Sequence, residues 1–200
     1  MRFKSLIIGL LLAWGAAPCI AAPGHGDFMK TGAKTAQPVG HYRFCETHAA
    51  ECRPTEPHRN ATLLTEVAWN VIKQVNTTVN RRIIQVTDEE YYRKVEFWTY
   101  PKSAGDCEDF ALLKKRELKA RGFADADLLI TVVKKRDGSG HAILTVHTSE
   151  GDFVLDNLDD RVKRWWDTPY RFEKRQSADD AGKWVVIEQP TGSVPVAAIN

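Results

Sequence analysis

The chain has 200 residues, of which 28 are lysine or arginine, 26 are aspartate or glutamate and 43% are hydrophobic. This length suits one domain with one hydrophobic core. The near balance of charges provides no strongly basic surface, and the sequence therefore predicts no nucleic-acid partner.

Residues 1–22 predict a secretory signal peptide. Two basic residues, Arg2 and Lys4, precede an apolar run, and small residues lead up to Pro23. The apolar run is shorter than the roughly 20 residues that a transmembrane helix needs, so no stable membrane insertion is expected after cleavage. Cleavage would remove both basic residues and no acidic one, which leaves 26 residues of each sign and a neutral mature protein.

Residues 23–40 predict a flexible leader, because glycine, proline, alanine, lysine and threonine dominate there without apolar periodicity. The folded part is predicted to begin near His41. Residues 41–200 are then expected to form a single domain.

Two amphipathic helices are predicted next. Between Asn60 and Asn80, apolar residues recur at three- and four-residue steps, with Asn60 as the N-cap. A second helix is predicted to begin at Asp106 and to end at Gly122, a residue that suits a left-handed C-cap.

The segments that follow are short, rich in β-branched residues and separated by turn sequences. They predict antiparallel strands over residues 128–133, 142–147 and 153–155, with a further strand over residues 184–188. Helices that precede a sheet in this way indicate the α+β class, here with N-terminal helices packed on an antiparallel sheet.

The cysteines divide into a pair and a single thiol once Cys19 leaves with the predicted signal peptide. Cys45 and Cys52 lie seven residues apart in a polar segment, and an oxidising compartment favours a disulfide between them. Two unrelated thiols are the alternative. Cys107 remains unpaired, and an unpaired thiol in an exported protein suggests a chemical role.

Cys107 is the candidate nucleophile. It lies in the first turn of the second predicted helix, where unpaired backbone N–H groups and the helix dipole favour a thiolate. We interpret Gly105, which has no side chain, as room for a substrate backbone. A buried structural thiol is the alternative.

His141 and Asp156 are predicted to complete a catalytic triad. The two residues are 15 positions apart, and this odd number places both side chains on one face of two antiparallel strands joined by an even-length loop. An imidazole oriented by a carboxylate is the base that a thiol nucleophile needs. A zinc site formed by Cys107 and two histidines is an alternative, but no ligand spacing supports it.

Three acidic residues, Asp106, Glu108 and Asp109, surround Cys107 and oppose the formation of a thiolate. A bound dication would remove that conflict, and the side chains of Asp106 and Glu108 can point together, away from the thiol, as calcium ligands. Ordinary acid enrichment in a first helical turn is the alternative. On the residues alone, both interpretations stay open.

Several segments in combination resemble the bacterial transglutaminase-like cysteine proteinases, the LapG-like family. The resemblance covers residues 42–187. Its main segments are Gly-Asp-Cys-Glu-Asp-Phe over residues 105–110, His-Ala-Ile-Leu-Thr-Val over 141–146 and Val-Leu-Asp-Asn-Leu over 154–158, and Val79, Asn80, Asp88 and residues 97–101 and 175–177 also fit the pattern.

This resemblance implies a papain-like or transglutaminase-like fold and a periplasmic protease with the triad Cys107, His141 and Asp156. It implies a need for calcium, held by Asp106 and Glu108. The expected substrate is the N-terminal region of a large surface adhesin, cut at paired alanines so that cells leave a biofilm. The expected partner is an inner-membrane cyclic di-GMP receptor of the LapD type.

Trp98 is a candidate second donor to the oxyanion, beside the backbone N–H of Cys107, because an indole N–H can only donate. A core or interface aromatic is the alternative role. Two other protein classes also stay open. A transglutaminase or cell-wall amidase would use the same triad with a different acyl donor or acceptor, and a catalytically inactive binding module would keep the residues without the activity.

Overall fold

A computed structural model of the protein describes residues 27–56 and 60–188, and the predicted signal peptide lies outside these residues. The helices are α1 (Val39–Thr47), α2 (Glu66–Arg82), α3 (Asp88–Tyr92) and α4 (Cys107–Lys119), with 3-10 turns at Ala49–Cys52, Asp125–Asp127 and Trp165–Asp167. The strands are β1 (Thr31–Thr35), β2 (Ile84–Gln85), β3 (Ala104–Gly105), β4 (Leu128–Lys134), β5 (Gly140–Thr148), β6 (Gly151–Leu155), β7 (Lys163–Arg164), β8 (Arg171–Gln176) and β9 (Trp184–Ile187). None of the helices in the described part of the chain is long and apolar enough to cross a membrane.

Within the described residues, seven strands form one antiparallel sheet in the order β1-β9-β8-β4-β5-β6-β7, and β2 and β3 form a separate parallel pair. The strands predicted over residues 128–133, 142–147, 153–155 and 184–188 are confirmed as β4, β5, β6 and β9. Helices packed on an antiparallel sheet make the fold α+β, as the sequence predicts.

The main core lies between one face of the sheet and the helices α2 and α4. Leu144 of β5 turns to that face and is buried together with Ile72 of α2 and Leu113 of α4. The next residue along the strand points the other way, so Ile143 joins a second, smaller core with Phe172 of β8. Because both faces of β5 are covered, apolar residues follow one another from Ala142 to Leu144 instead of alternating with polar ones.

The prediction of a flexible leader over residues 23–40 is wrong from residue 31 onward. β1 pairs with β9, with Thr31 opposite Ile187, and α1 begins at Val39. The side chains of β1 are exposed or half-buried. The strand therefore shows no apolar alternation, and it is held by backbone hydrogen bonds that leave no pattern in the sequence.

α2 begins later than the apolar periodicity predicts. Thr65 is its N-cap, and the hydroxyl of Thr65 accepts a hydrogen bond from the backbone N–H of Ala68 over 3.1 Å. Asn60, the predicted cap, is exposed and lies outside the helix.

α4 begins where its sequence predicts but ends at Lys119, three residues before the predicted end at Gly122. Asp106 occupies the N-cap position, although its side chain makes no capping hydrogen bond there. Gly122 has a φ of 89°, the left-handed conformation expected of a glycine just past a helix end. The helix therefore presents Cys107 in its first turn.

The substitution Thr65→Ala is expected to lower the free energy of unfolding by about 1 kcal/mol, because it leaves a backbone N–H of the first turn without its side-chain acceptor. Urea denaturation measures this loss. The control Asn60→Ala is expected to change stability by less than about 0.5 kcal/mol. An equal loss in both variants would show that the helix start is wrongly placed.

Candidate active site

The hairpin β5–β6 places His141 and Asp156 at one end of the sheet. Its strands are in register with Leu144 opposite Leu155, and a two-residue turn joins them. His141 lies near the start of β5 and Asp156 directly follows β6. Their side chains share a face, as the odd spacing predicts, and Nε2 of His141 lies 2.9 Å from Oδ1 of Asp156.

Cys107 reaches the same end of the sheet from α4. The backbone N–H of Ala142 donates to Sγ of Cys107 over 3.4 Å, which sets the sulfur against β5 beside the residue that follows His141. The structure therefore brings the three predicted triad residues together. In the described part of the chain, the possible metal ligands grouped with Cys107 are Asp106 and Glu108, so the zinc alternative with two histidines finds no support.

Asp156 accepts hydrogen bonds on both carboxylate oxygens. Oδ1 accepts from His141 and from the backbone N–H of Leu158 at 3.0 Å, and Oδ2 accepts from the hydroxyl of Tyr170. Burial opposes the ionised form, but these donors outweigh it and lower the pKa of Asp156. An ionised Asp156 can only accept, so Nε2 of His141 carries the proton and Nδ1 is free to act as a base.

The loop that follows β6 is held in place by two amides of α2. Nδ2 of Asn80 donates to the backbone carbonyl of Asp156 and to Oδ1 of Asp160, each over 2.9 Å. Nδ2 of the buried Asn76 donates to the carbonyls of Asp159 and Asp160, each over 3.0 Å. α2 therefore fixes the backbone that carries Asp156.

Four carboxylates crowd the N-terminus of α4. Oxygens of Asp88, Asp106 and Asp109 lie within 4.8 Å of one another, and Glu108 is grouped in the same way with Asp106 and Cys107. Three oxygens, namely Oδ1 of Asp88, Oδ1 of Asp106 and Oδ2 of Asp109, are buried without a hydrogen-bond partner. Calcium prefers several oxygen ligands and would satisfy such acceptors. The donor set therefore fits the predicted dication, and Asp88 and Asp109 lie beside the predicted ligands.

The same crowding raises the pKa of three carboxyl groups and of the thiol. Burial, aided by the negative charge of Asp106, raises the pKa of Asp88 to about 6 and that of Asp109 to about 8. Burial and Asp106 also raise the pKa of Glu108. Burial, with Glu108 next in importance, raises the pKa of the Cys107 thiol, whose S–H donates to Oε2 of Glu108 over 3.3 Å. Without a cation, the thiol therefore stays protonated.

Gly105 makes room for a carboxylate. A Cβ at position 105 would lie 2.4 Å from Oδ2 and 2.8 Å from Cβ of Asp109, which no real side chain tolerates. The other oxygen, Oδ1 of Asp109, accepts from the backbone N–H of Thr99 over 2.8 Å and cannot turn away freely. The interpretation of Gly105 as room for a substrate backbone is therefore replaced by a packing role.

Trp98 does not serve as the oxyanion donor that the sequence suggests. It is 5% exposed, and its indole N–H donates to Oε2 of Glu96 over 3.3 Å. Its ring meets His41 edge-on at 5.4 Å and lies so close to Gly40 that a Cβ there would be 2.2 Å away. The oxyanion assignment is therefore wrong, because the donor is engaged and the ring belongs to the core.

Cys45 and Cys52 form a disulfide in the structure. The bridge joins α1 to the following 3-10 turn and borders His41, whose ring nitrogens lie 3.7 to 3.9 Å from the two sulfurs. Burial, followed by the nearby charge of Lys115, lowers the pKa of His41 to about 3, so this imidazole is neutral at ordinary pH. Among the described cysteines, Cys107 is left as the free thiol.

Tyr170 and the role of Asp88 were missed by reasoning from the residues. Thr87 and Glu90 form a capping box that marks α3, and this pattern is visible in the sequence just around Asp88. Tyr170 precedes β8, a strand that the sequence did not predict, and only the strand order brings it near Asp156. No local pattern could have marked Tyr170.

Residues 31–192 match the sequence profile of a family described as bacterial transglutaminase-like cysteine proteinase. Among solved structures, LapG of Legionella pneumophila is 22% identical with a TM-score of 0.50, over 75% of this chain and 81% of that one. The calcium-bound form of LapG is 20% identical with a TM-score of 0.51, over 80% of this chain and 87% of that one. The EGTA-treated form is 20% identical with a TM-score of 0.51, over 78% of this chain and 82% of that one. The search of curated proteins gave no significant match. At these identities the likeness shows the fold, and the predicted transglutaminase-like architecture is confirmed.

In a chelator, the melting temperature is expected to fall as pH rises from 5 to 8. Folded Asp88 and Asp109 hold protons up to pH values of about 6 and 8, whereas the unfolded chain releases them near pH 4. Unfolding therefore releases protons over this range, and a higher pH favours it. Calorimetry at several pH values measures the slope.

With saturating calcium the same carboxylates would be ionised in the folded protein, so the fall should vanish. The difference between the calcium and chelator curves should therefore widen with pH. Parallel curves would mean that the cluster neither holds its protons nor binds the ion.

Proposed function

The chain belongs to the bacterial transglutaminase-like cysteine proteinase family and is a cysteine peptidase; from this premise we propose that Cys107, His141 and Asp156 are its catalytic triad. We further propose that it is a periplasmic, calcium-dependent endopeptidase that cleaves the N-terminal region of a large surface adhesin and so controls release from a biofilm. The observation that carries the triad is the hydrogen bond of 2.9 Å between His141 and Asp156, beside a thiol in the first turn of α4.

The first half of the reaction transfers an acyl group to the sulfur. Nδ1 of His141 takes the proton of the Cys107 thiol, and Sγ attacks the carbonyl carbon of the scissile peptide bond. The backbone N–H of Cys107, in the first turn of α4, has no acceptor four residues earlier in the helix and can donate to the oxyanion. The carbon–nitrogen bond then breaks, and His141 returns the proton to the leaving amine.

The second half releases the acyl group as a carboxylic acid. With the amine gone, His141 takes a proton from water, and the resulting hydroxide attacks the thioester carbon. The carbon–sulfur bond breaks, and the sulfur recovers its proton from His141. Throughout, Asp156 keeps the proton on Nε2, so that Nδ1 retains the lone pair that acts as the base.

The carboxylates around Cys107 support the proposed calcium dependence. Asp106 and Glu108 are the predicted ligands, and Asp88 and Asp109 would complete the set with their buried, unpartnered oxygens. A bound calcium ion would supply positive charge that offsets the carboxylates opposing the thiolate. Calcium-bound and EGTA-treated forms of LapG, which shares this fold, are in keeping with such a site.

The substrate and the partner follow from the resemblance to the LapG-like family alone. We propose the N-terminal region of an adhesin as the substrate and an inner-membrane cyclic di-GMP receptor of the LapD type as the restraining partner. Removal of residues 1–22 as the predicted signal peptide takes away two basic residues and no acidic one. The resulting neutral protein suits recognition by shape and specific contacts more than by bulk charge.

The variant Cys107→Ala is expected to lose cleavage of an adhesin N-terminal fragment by at least about a thousandfold, because no other group supplies the nucleophile. Gel analysis of the wild type and the variant, with and without calcium, measures the loss. Ser139→Ala, a change in an exposed turn, should keep the wild-type rate.

Glutamine peptides with an amine donor and cell-wall muropeptides are offered in parallel. Turnover of either one without cleavage of the fragment would replace endopeptidase by transglutaminase or amidase. Cleavage by Cys107→Ala at the wild-type rate would refute the proposed catalytic triad.

Calcium binding should depend on each carboxylate of the cluster. Asp88→Asn, Asp106→Asn, Glu108→Gln and Asp109→Asn are each expected to weaken binding by roughly tenfold or more, since each removes a charged oxygen ligand. Calorimetric titration measures the affinity, and the calcium-induced rise in melting temperature checks it independently of activity. Asp137→Asn, in the exposed turn between β4 and β5, should bind like the wild type. Unchanged binding in Asp88→Asn and Asp109→Asn would restrict the site to Asp106 and Glu108.

A further inference from the structure

We propose that Tyr170 is a positioning residue of the triad, whose hydroxyl sets the orientation of the Asp156 carboxylate toward His141. The inference rests on the proposed triad and adds to it a fourth side chain. It is carried by the contacts that Tyr170 makes with two triad members.

Tyr170 reaches the triad from a third strand. It directly precedes β8, which lies beside β4 in the sheet, and Phe172 of β8 stands opposite Val133. Val133 in turn stands opposite His141 of β5. The start of β8, the start of β5 and the end of β6 therefore meet at one end of the sheet, and Tyr170 arrives there beside Asp156.

The tyrosine contacts both partners of the pair. Its hydroxyl donates to Oδ2 of Asp156, and its ring centroid lies 5.4 Å from that of His141, at 55° to the imidazole plane. Burial, and next the hydrogen bond to Asp156, raises the pKa of Tyr170, so the hydroxyl keeps the proton that it donates. In this contact the Tyr170 hydroxyl is therefore always the donor and the Asp156 carboxylate always the acceptor.

A carboxylate that accepts hydrogen bonds on both oxygens is held in one plane. A carboxylate that accepts on one oxygen only can still rotate. With the backbone N–H of Leu158 and His141 on Oδ1, the carboxylate can still twist about its Cβ–Cγ bond. The hydroxyl of Tyr170 on Oδ2 removes that twist and so fixes the direction in which Oδ1 faces Nε2. A weaker hydrogen bond from Nε2–H to Asp156 would let the imidazole proton move to Nδ1, and Nδ1 could then no longer act as the base.

The loss of the Tyr170 hydroxyl should lower the catalytic rate without abolishing it. Asp156 and Tyr170 share the wall of a small cavity of about 170 Å³, so water can enter the space that the hydroxyl leaves. Water would satisfy Oδ2 without fixing its direction. We therefore expect Tyr170→Phe to lower kcat about tenfold, the scale of one lost hydrogen bond to a charged group, and to leave KM within about twofold.

The experiment compares Tyr170→Phe with Tyr42→Phe, which removes the same atom from a residue that is 57% exposed. Three quantities are measured in the calcium-loaded protein: kcat and KM on the adhesin fragment, the melting temperature, and the imidazole nitrogen chemical shifts by NMR. His141→Gln identifies the His141 signals. The wild type and Tyr42→Phe should show His141 with its proton on Nε2, and Tyr170→Phe should show a mixture of tautomers at a melting temperature within about 2 °C of the wild type.

The NMR measurement and the rate of Cys107 alkylation by iodoacetamide need no substrate, so they report on Tyr170 even if the proposed substrate is not cleaved. Slower alkylation and a mixed tautomer in Tyr170→Phe alone would support the positioning role. Identical tautomers and alkylation rates in Tyr170→Phe and Tyr42→Phe would overturn it, as would a loss of kcat that follows only a large fall in melting temperature.

Discussion

The cluster of buried carboxyl groups at the N-terminus of α4 is the constraint on which the site depends. The helix dipole favours a thiolate there by about 0.3 to 1 kcal/mol. A single carboxylate about 4 Å away opposes it by about 4 kcal/mol at the effective dielectric of a protein surface. Asp106 and Glu108 lie beside the sulfur of Cys107, and their opposition to the thiolate exceeds the support of the dipole. Burial and these acids hold the thiol in its protonated form, and a cation bound among them would offset their charge.

Other hydrogen bonds of the site hold Asp156 in one position. Asp156 stands just beyond the end of β6, where the ladder of backbone hydrogen bonds no longer holds the chain. Its carbonyl is held by Asn80 and its carboxylate by Leu158 and Tyr170. Each hydrogen bond contributes only about 0.5 to 1.5 kcal/mol to stability. Together they restrict one carboxylate to one position, which matters more for catalysis than for folding.

The sequence predicted what depends on local periodicity and failed where distant segments meet. The spacing of His141 and Asp156 was sufficient because strand parity is a local rule, and the hairpin β5–β6 obeys it. The first turn of α4 was predictable from the same kind of signal. β1 was missed because its exposed side chains form no pattern, and Tyr170 was missed because its position depends on the unpredicted β8. Trp98 shows the opposite error, since a donor chosen for its chemistry proved to be engaged with Glu96 in the core.

The buried lysines of α4 bear on how the first turn of the helix is held in one orientation. Lys115 is buried, and its Nζ lies 2.9 Å from Oδ1 of Asp125 and donates to Oε1 of Gln176 over 3.0 Å. Burial lowers the pKa of Lys114 to about 7, although Asp156 acts against this. Such groups stabilise a fold less than apolar side chains of the same size would. Apolar contacts, however, tolerate a rotation of the helix, and a turn of about 10° about its axis moves a side-chain tip by roughly 1 Å. An error of that size near the reacting atoms can cost about a hundredfold in rate. The directional contacts of Lys115 with Asp125 and Gln176 oppose this rotation. They therefore help to keep the sulfur of Cys107 against β5, the strand that carries His141.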